Sequence, residues 1–199
     1  MAVTDYTIDN HPEPVSSGSA DPVRSPQVYG YPRNWLEAVM LRTVRPDDAL
    51  AISDIYNHYI LNSPATFEEV PVSPDEMRQR ILETIRTYPW LVCEDEGKLL
   101  GYCYGRRWRE RAAYRHSVEV STYLDPSAVG KGRGSALLDA ILVELRRRGF
   151  HCVMGGVSLP NDASVALLQK FGLSQVAHFK EVGNKFGQWI DVGYWQLLL

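Results

Sequence analysis

Hydrophobic positions recur along the chain in two rhythms. Val39-Met40-Leu41-Arg42-Thr43-Val44 reads as a strand, and Pro46-Asp47-Asp48 opens a helix whose Ile52, Ile55, Tyr56 and Tyr59 share one face. Ser73-Pro74-Asp75-Glu76 then supplies an N-cap, a proline at the first helical position and a glutamate at the third, ahead of the apolar stripe Met77, Ile81, Ile85. Trp90–Glu94 and Leu99–Tyr104 flank the turn Asp95-Glu96-Gly97-Lys98 as an antiparallel hairpin, and Ser117–Leu124 extends the sheet. Ala136, Leu137, Leu138, Ile141, Leu142 and Leu145 form the apolar face of a helix that ends at Arg146-Arg147-Arg148-Gly149, basic residues and a glycine as the helix dipole and C-cap favour. A strand over Cys152–Val157, a helix from Asn161 to Phe171-Gly172, and strands over Leu173–Phe179 and Trp189–Leu197 complete the order β-α-α-β-β-β-α-β-α-β-β. The pattern predicts an α/β (α+β) fold: a mixed, mostly antiparallel sheet flanked by helices.

The first 38 residues follow neither rhythm. Pro12, Pro14, Pro22, Pro26 and Pro32, with the run Ser16-Ser17-Gly18-Ser19, make an irregular N-terminal extension (1–38) before a globular domain (39–199). Tyr29, Tyr31 and Trp35 are unusual in a solvated linker, which suggests a tail lying along the domain or a partner subunit.

A net charge of −3 leaves no nucleic-acid footprint, and the arginine run at 146–148 is accounted for by its place at a helix end. No apolar run approaches the roughly 20 residues that span a bilayer, and the N-terminus lacks a basic start and hydrophobic stretch, so a cytoplasmic protein without a membrane partner is expected. Cys93, Cys103 and Cys152 are odd in number and set in apolar surroundings, which predicts reduced, buried thiols. The histidines show no metal-ligand spacing, so no metal is expected.

The chemistry concentrates between Ser117 and Ser135. A strand runs through a short loop into Val129-Gly130-Lys131-Gly132-Arg133-Gly134-Ser135 and then a helix. Alternate glycines let backbone N–H groups turn inward while the helix presents its positive end, which is a cradle for phosphate. The P-loop pattern is absent, and where a dinucleotide fingerprint expects an acidic residue the chain has the apolar run around Val153 and Met154. On the glycines alone, a flexible turn starting a helix competes with an anion site.

At this point the sequence resembles the GNAT superfamily of acetyl-CoA-dependent N-acetyltransferases. More narrowly, Ile55-Tyr56-Asn57-His58-Tyr59, Ala65-Thr66-Phe67-Glu68, Tyr88-Pro89-Trp90-Leu91-Val92, Arg111-Ala112-Ala113-Tyr114, Leu159-Pro160-Asn161-Asp162-Ala163-Ser164-Val165 and Asp191-Val192-Gly193-Tyr194-Trp195-Gln196-Leu197 resemble phosphinothricin and methionine sulfoximine/sulfone acetyltransferases, over about Met40 to Leu199. The resemblance implies acetyl-CoA as donor, its pyrophosphate on the amides of Gly130, Lys131, Gly132, Arg133, Gly134 and Ser135, with the Lys131 and Arg133 side chains near the phosphates. It places the pantetheine arm on the main chain of Thr122, Tyr123 and Leu124, and Asn161 near the thiol end. Glu119 matches the general base that must free the amine from its ammonium form; strand alternation sets it with Ser117, Ser121 and Tyr123 on one face, and a solvated strand glutamate is its bland alternative. A backbone N–H near Leu124 matches the donor to the reacting carbonyl oxygen.

For the acceptor, the resemblance points to a small amino acid with a tetrahedral oxy tail. Arg106, Arg107, Arg109 and Arg111 precede Tyr114, and Arg109 and Arg111, with Tyr114, are the expected anion contacts. Phe67 is an expected pocket wall, and Lys185 with Trp189 belongs to a stretch that in relatives approaches the active site, here expected in a homodimer; core packing is the competing role for Phe67 and Trp189. The chain departs from the pattern at Leu168, where relatives place a His or Tyr, and at Asn184 and Phe186. Acetylation of another small amine, and a CoA-binding module without catalysis, therefore stand as alternatives.

Overall fold

The structure, a computed structural model, describes residues 40–199; the expected domain boundary and the proline-rich extension lie outside the described residues. Strand β1 (Met40–Thr43) leads through a single 3-10 turn at Pro46–Asp48 into α1 (Ala49–Asn62), and α2 (Pro74–Thr84) follows. The helix expected to open at Pro46 thus starts three residues later. Its entry is fixed by Asp48, whose carboxylate accepts from the Arg45 N–H at 2.7 Å and from both terminal nitrogens of Arg42 at 2.8 Å. At α2 the Ser73 hydroxyl accepts from the Glu76 N–H, as the sequence predicts.

Next come β2 (Trp90–Asp95), β3 (Lys98–Arg107), β4 (Ser117–Leu124), α3 (Arg133–Arg147), β5 (Cys152–Leu159), α4 (Asp162–Lys170), β6 (Ser174–Lys185) and β7 (Gln188–Leu198). The β2–β3 turn has Glu96 and Gly97 both at positive φ, the backbone that closes a tight hairpin. One seven-stranded sheet runs in the order β1-β2-β3-β4-β5-β7-β6, antiparallel except where β4 lies parallel to β5.

Two apolar clusters cover the two faces. On one, Leu137, Leu138, Ile141 and Leu145 of α3 pack on Cys103, Val118, Val120 and Val153; on the other, Ile52 and Ile55 of α1 and Met77 and Ile81 of α2 pack on Trp90, Val92 and Tyr102. Both cysteines of the hairpin are buried and free, and burial pushes the Cys93 thiol up to about 11 and that of Cys103 up to about 12, so neither is a thiolate at neutral pH. Cys152 is free and half-buried.

The one parallel pairing positions the site. It spans only Ser117↔Cys152, Val118↔Val153 and Glu119↔Met154, although the strands continue to Leu124 and Leu159. Beyond Glu119 and Met154, β4 and β5 are unpaired with each other and a cleft stands between them.

Candidate active site

The cleft has a volume of about 730 Å³ and is lined by Val120–Leu124 from β4, Gly155–Ser158 from β5, the glycine loop and α4. Its β4 wall is main chain. Asp125 donates its N–H to the Leu100 carbonyl and Tyr123 is registered with Tyr102, so odd-numbered β4 residues aim their backbone at β3. The His116 carbonyl instead accepts from His151 and Cys152, so even-numbered residues aim at β5 and, past the pairing, into the cleft. Of the three residues expected to offer main chain there, Thr122 and Leu124 do so. Tyr123 does not: its backbone belongs to the β3 ladder, and its ring packs with Tyr56, Tyr59 and Tyr102. The Tyr59 hydroxyl donates to the Leu124 carbonyl at 2.8 Å and ties α1 to the end of this wall.

At the far end, Gly130 and Gly132 sit at φ 76° and 77°. A Cβ at Gly130 would meet nothing within 4 Å, so backbone conformation rather than crowding calls for glycine here. Gly132 is the N-cap of α3, and the unbonded N–H groups of the first turn open at the cleft beside Gly130, Gly134 and Ser135. The side chains expected to assist are elsewhere: Lys131 and Arg133 do not line the cleft, and Arg133 reaches the β2–β3 hairpin, its Nη2 donating to Asp95 at 3.2 Å. Lys170, which the sequence reading missed, lines the cleft and donates to the Ser135 hydroxyl at 3.0 Å. It is legible only once α4 is seen to end beside the loop. Asn161 caps α4, its Oδ1 accepting from the Ser164 N–H at 3.1 Å, and lines the same cleft. Leu168 is buried against Gly155, where a Cβ would lie 2.9 Å from its methyl.

Glu119 stands where the strands part, 8% exposed. Arg106, its register partner on β3, meets carboxylate oxygen Oε2 with both Nε and Nη2 at 3.0 Å. Oε1 faces Gly156, where an added Cβ would lie 3.0 Å from it and 3.0 Å from the Tyr194 ring. Gly156 lines the cleft, so it joins the cleft to the carboxylate. Burial and then the Glu119 charge hold the Tyr194 phenol above its usual value. Trp108 and Phe179 both meet Tyr194 edge-on, and Arg109 stacks on Trp108 with 4.7 Å between guanidinium carbon and ring centroid. Arg109 is therefore at the outer wall of this region. Arg111 and Tyr114 are exposed on the short turn before β4. Their cluster-mate Arg106 is the arginine placed on the carboxylate, because ladder register decides that and spacing alone could not.

The segment between α1 and α2 closes the neighbouring side. Buried Lys185 donates to the carbonyls of Ser63 at 2.9 Å and Thr66 at 2.7 Å, and burial draws its pKa below the ordinary lysine value against the opposing charges of Glu69 and Glu68. Tyr56 bonds Thr66 and Glu68, and Arg80 grips Glu68 through two nitrogens. The half-exposed Phe67 ring lies on Gly183 of β6 in the space a Cβ would need. Lys185 and Phe67 thus fix this segment on β6, while Trp189, 67% exposed, is no core aromatic among the described residues.

A splayed strand pair, a glycine cradle and a buried carboxylate at the fork are joined by sequence kinship. Residues 41–193 match the acetyltransferase (GNAT) domain family. The chain belongs to the GNAT acetyltransferase family. It is 40% identical to the phosphinothricin N-acetyltransferase of Alcaligenes faecalis over 77% of this chain and 79% of the relative. It is 37% identical to the L-methionine sulfoximine/L-methionine sulfone acetyltransferase of Salmonella typhimurium, over 76% and 90% respectively. Among solved GNAT structures, a phosphinothricin acetyltransferase from Sinorhizobium meliloti in complex with acetyl-CoA superposes with a TM-score of 0.79 at 36% identity, covering 81% of this chain and 89% of that one. A Salmonella typhimurium protein described as a candidate acetyltransferase, solved with its cofactor acetyl-CoA, gives 0.80 at 35% identity, covering 82% and 95%. Among the described residues no cluster of histidine, cysteine and carboxylate side chains could hold a metal ion, and no helix is long and apolar enough to cross a membrane.

Proposed function

We propose that the protein transfers acetyl from acetyl-CoA to the α-amino group of a small amino acid of the phosphinothricin or methionine sulfoximine/sulfone type, by direct attack with both substrates bound. One observation carries the reading: a buried carboxylate stands where β4 and β5 part, with one oxygen beside Gly156, which lines the cleft. The donor fits the cleft. Amides from Gly130 to Ser135 and the α3 N-terminus suit a diphosphate, Lys170 adds positive charge, and the main chain of Thr122, which faces the cleft, can pair with an amide-bearing arm as a strand would.

Acetyl-CoA, when bound, supplies the activated acyl carbon of a thioester. Glu119 takes one proton from the acceptor ammonium, and the freed nitrogen pair forms the C–N bond as the C–S bond breaks. A backbone N–H near Leu124 donates to the thioester oxygen as charge gathers there. The second nitrogen proton leaves through water to balance the departing sulfur, since Leu168 has none to give. Phe67, Arg109 and the Lys185-held segment bound the acceptor, with Arg111 and Tyr114 further out.

A homodimer is the assembly this reading carries. Val176, Phe179 and Val182 are exposed on β6, the sheet's edge strand, with Phe186 and Trp189 exposed beside it. The enzyme is placed in the cytoplasm, with small-molecule partners and no nucleic-acid or membrane partner.

The test is a thiol-release assay over phosphinothricin, methionine sulfoximine, methionine sulfone and ordinary amino acids, with Glu119→Gln beside the wild type. The variant is expected to lose ~10²- to 10⁴-fold in kcat while still binding acetyl-CoA. Full rate across the neutral pH range would remove Glu119 as the base. Leu168 favours one other reading, a CoA-binding module without turnover; acetyl-CoA binding by calorimetry with no thiol release on any amine would select it.

A further inference from the structure

Arg106 is bound on one edge only. A guanidinium has two donor edges: Nε with Nη2, and Nη1 with Nη2. In this chain the first edge is spent on Glu119 Oε2, while the arginine side chain remains 53% exposed. We infer that the second edge of Arg106 receives the acceptor's α-carboxylate, making Arg106 a bridge between substrate and base and the residue that selects α-amino acids over plain amines. The inference rests on the acetyl-transfer reading above and names its specificity device.

Geometry makes the bridge productive. In an α-amino acid the ammonium and carboxylate share one carbon, so a carboxylate on the outer edge of Arg106 delivers the nitrogen toward the carboxylate of Glu119. A planar fork fixes that placement as a point charge would not. The charged and titratable groups around the pair are Tyr104 on β3, Tyr123 on β4, Tyr194 on β7, Arg109 before β4, and Glu68 of the α1–α2 segment with its partner Arg80. Among these cations, Arg106 is the one hydrogen-bonded to Glu119. A plain amine leaves the outer edge empty and meets Glu119 still fully paired.

The experiment compares L-methionine sulfone with 3-(methylsulfonyl)propylamine, its analogue lacking the carboxyl group, by thiol release and by calorimetry in the presence of CoA. Wild type should favour the amino acid, and Arg106→Gln should lower kcat/KM for it about 10- to 100-fold, the weight of a charge-assisted fork, with far less change for the amine. Arg106→Lys, which keeps charge without two edges, should not restore the preference. Unchanged preference in Arg106→Gln, with Glu119→Gln inactive, would reduce Arg106 to a structural ion pair and leave the acetyl-transfer reading standing. Wild type binding the amine as tightly as the amino acid would overturn the bridge whether or not turnover occurs. Loss of all thiol release in wild type, with tighter binding of the amino acid kept, would remove the acetyl-transfer reading and support the bridge.

Discussion

Around Gly130–Ser135 the wall of the cleft is backbone, and the nearby side chains of Lys131 and Arg133 are not part of it; around Glu119, at the fork beside the cleft, side chains meet instead, with Arg106 from β3, Tyr194 from β7 and Trp108 from a loop. A backbone site constrains conformation but few side-chain identities. A side-chain site constrains volume and charge to fractions of an ångström. The first half can keep one ligand across wide sequence change, and the second is where acceptor preference can move.

The sharpest way to separate the halves is at Gly156, which touches both. A valine there would place its Cβ 3.0 Å from Glu119 Oε1 and from Tyr194, with two further methyl groups to house. Gly156→Val should lower kcat about 100-fold or more through displacement of the base, while the dissociation constant for acetyl-CoA, carried by the loop and the β4 backbone, stays within about threefold. Rapid-mixing kinetics with calorimetry reads both; donor affinity collapsing in step with kcat would mean that the two halves are one site.

A smaller effect is expected within the donor half. Gly132→Ala forces an alanine to φ 77° at the N-cap of α3, a conformation costing about 1–2 kcal/mol; the free loop escapes that strain by leaving the cradle conformation, so acetyl-CoA affinity should fall by up to about tenfold with little change in acceptor KM. Lys131→Ala keeps the loop backbone and should change affinity about threefold or less. If Lys131 proved the larger, the cradle would be held by side-chain charge and the contrast with Glu119 would fail.

The same contrast explains what the sequence made legible. Among the described residues all eleven helices and strands were readable in order, because two periodicities, a capping box and glycine stops are local signals. The glycine cradle was readable too, as a contiguous stretch whose conformation its own composition dictates. The acceptor side was not. Choosing Arg106 among four closely spaced arginines needs the β3–β4 register, which pairs Arg106 with Glu119 across a turn of irregular chain. Alternation did set Glu119 and Tyr123 on one face, but it could not say which edge of β4 the Tyr123 main chain would serve. Lys170 and Gly156 carry no motif, and each matters only through what tertiary folding brings beside it.

The gentlest probe is acid. The Glu68 carboxyl lies below its ordinary value of 4.5: burial opposes this, but hydrogen bonds from Arg80 and Tyr56 outweigh it. A depressed folded value means that its contribution to stability is complete above 4.5 and drains away as pH falls through the folded value. Protonation weakens the Arg80 fork and loosens the Thr66–Glu68 segment, whose other fastenings, Lys185 on the Thr66 carbonyl and Tyr56 on the Thr66 hydroxyl, do not titrate in that range. Acceptor KM should therefore rise about two- to threefold as pH falls below 4.5 through the folded value, with donor affinity nearly flat, because Glu68 is partly exposed and its pair is screened. Glu68→Gln should begin with the raised KM and lose the acid dependence. Donor KM rising equally in the wild type would show the loop serving both substrates, and the division drawn between backbone and side-chain halves would have to be redrawn through Ser63 and Ala65, which line the cleft from that segment.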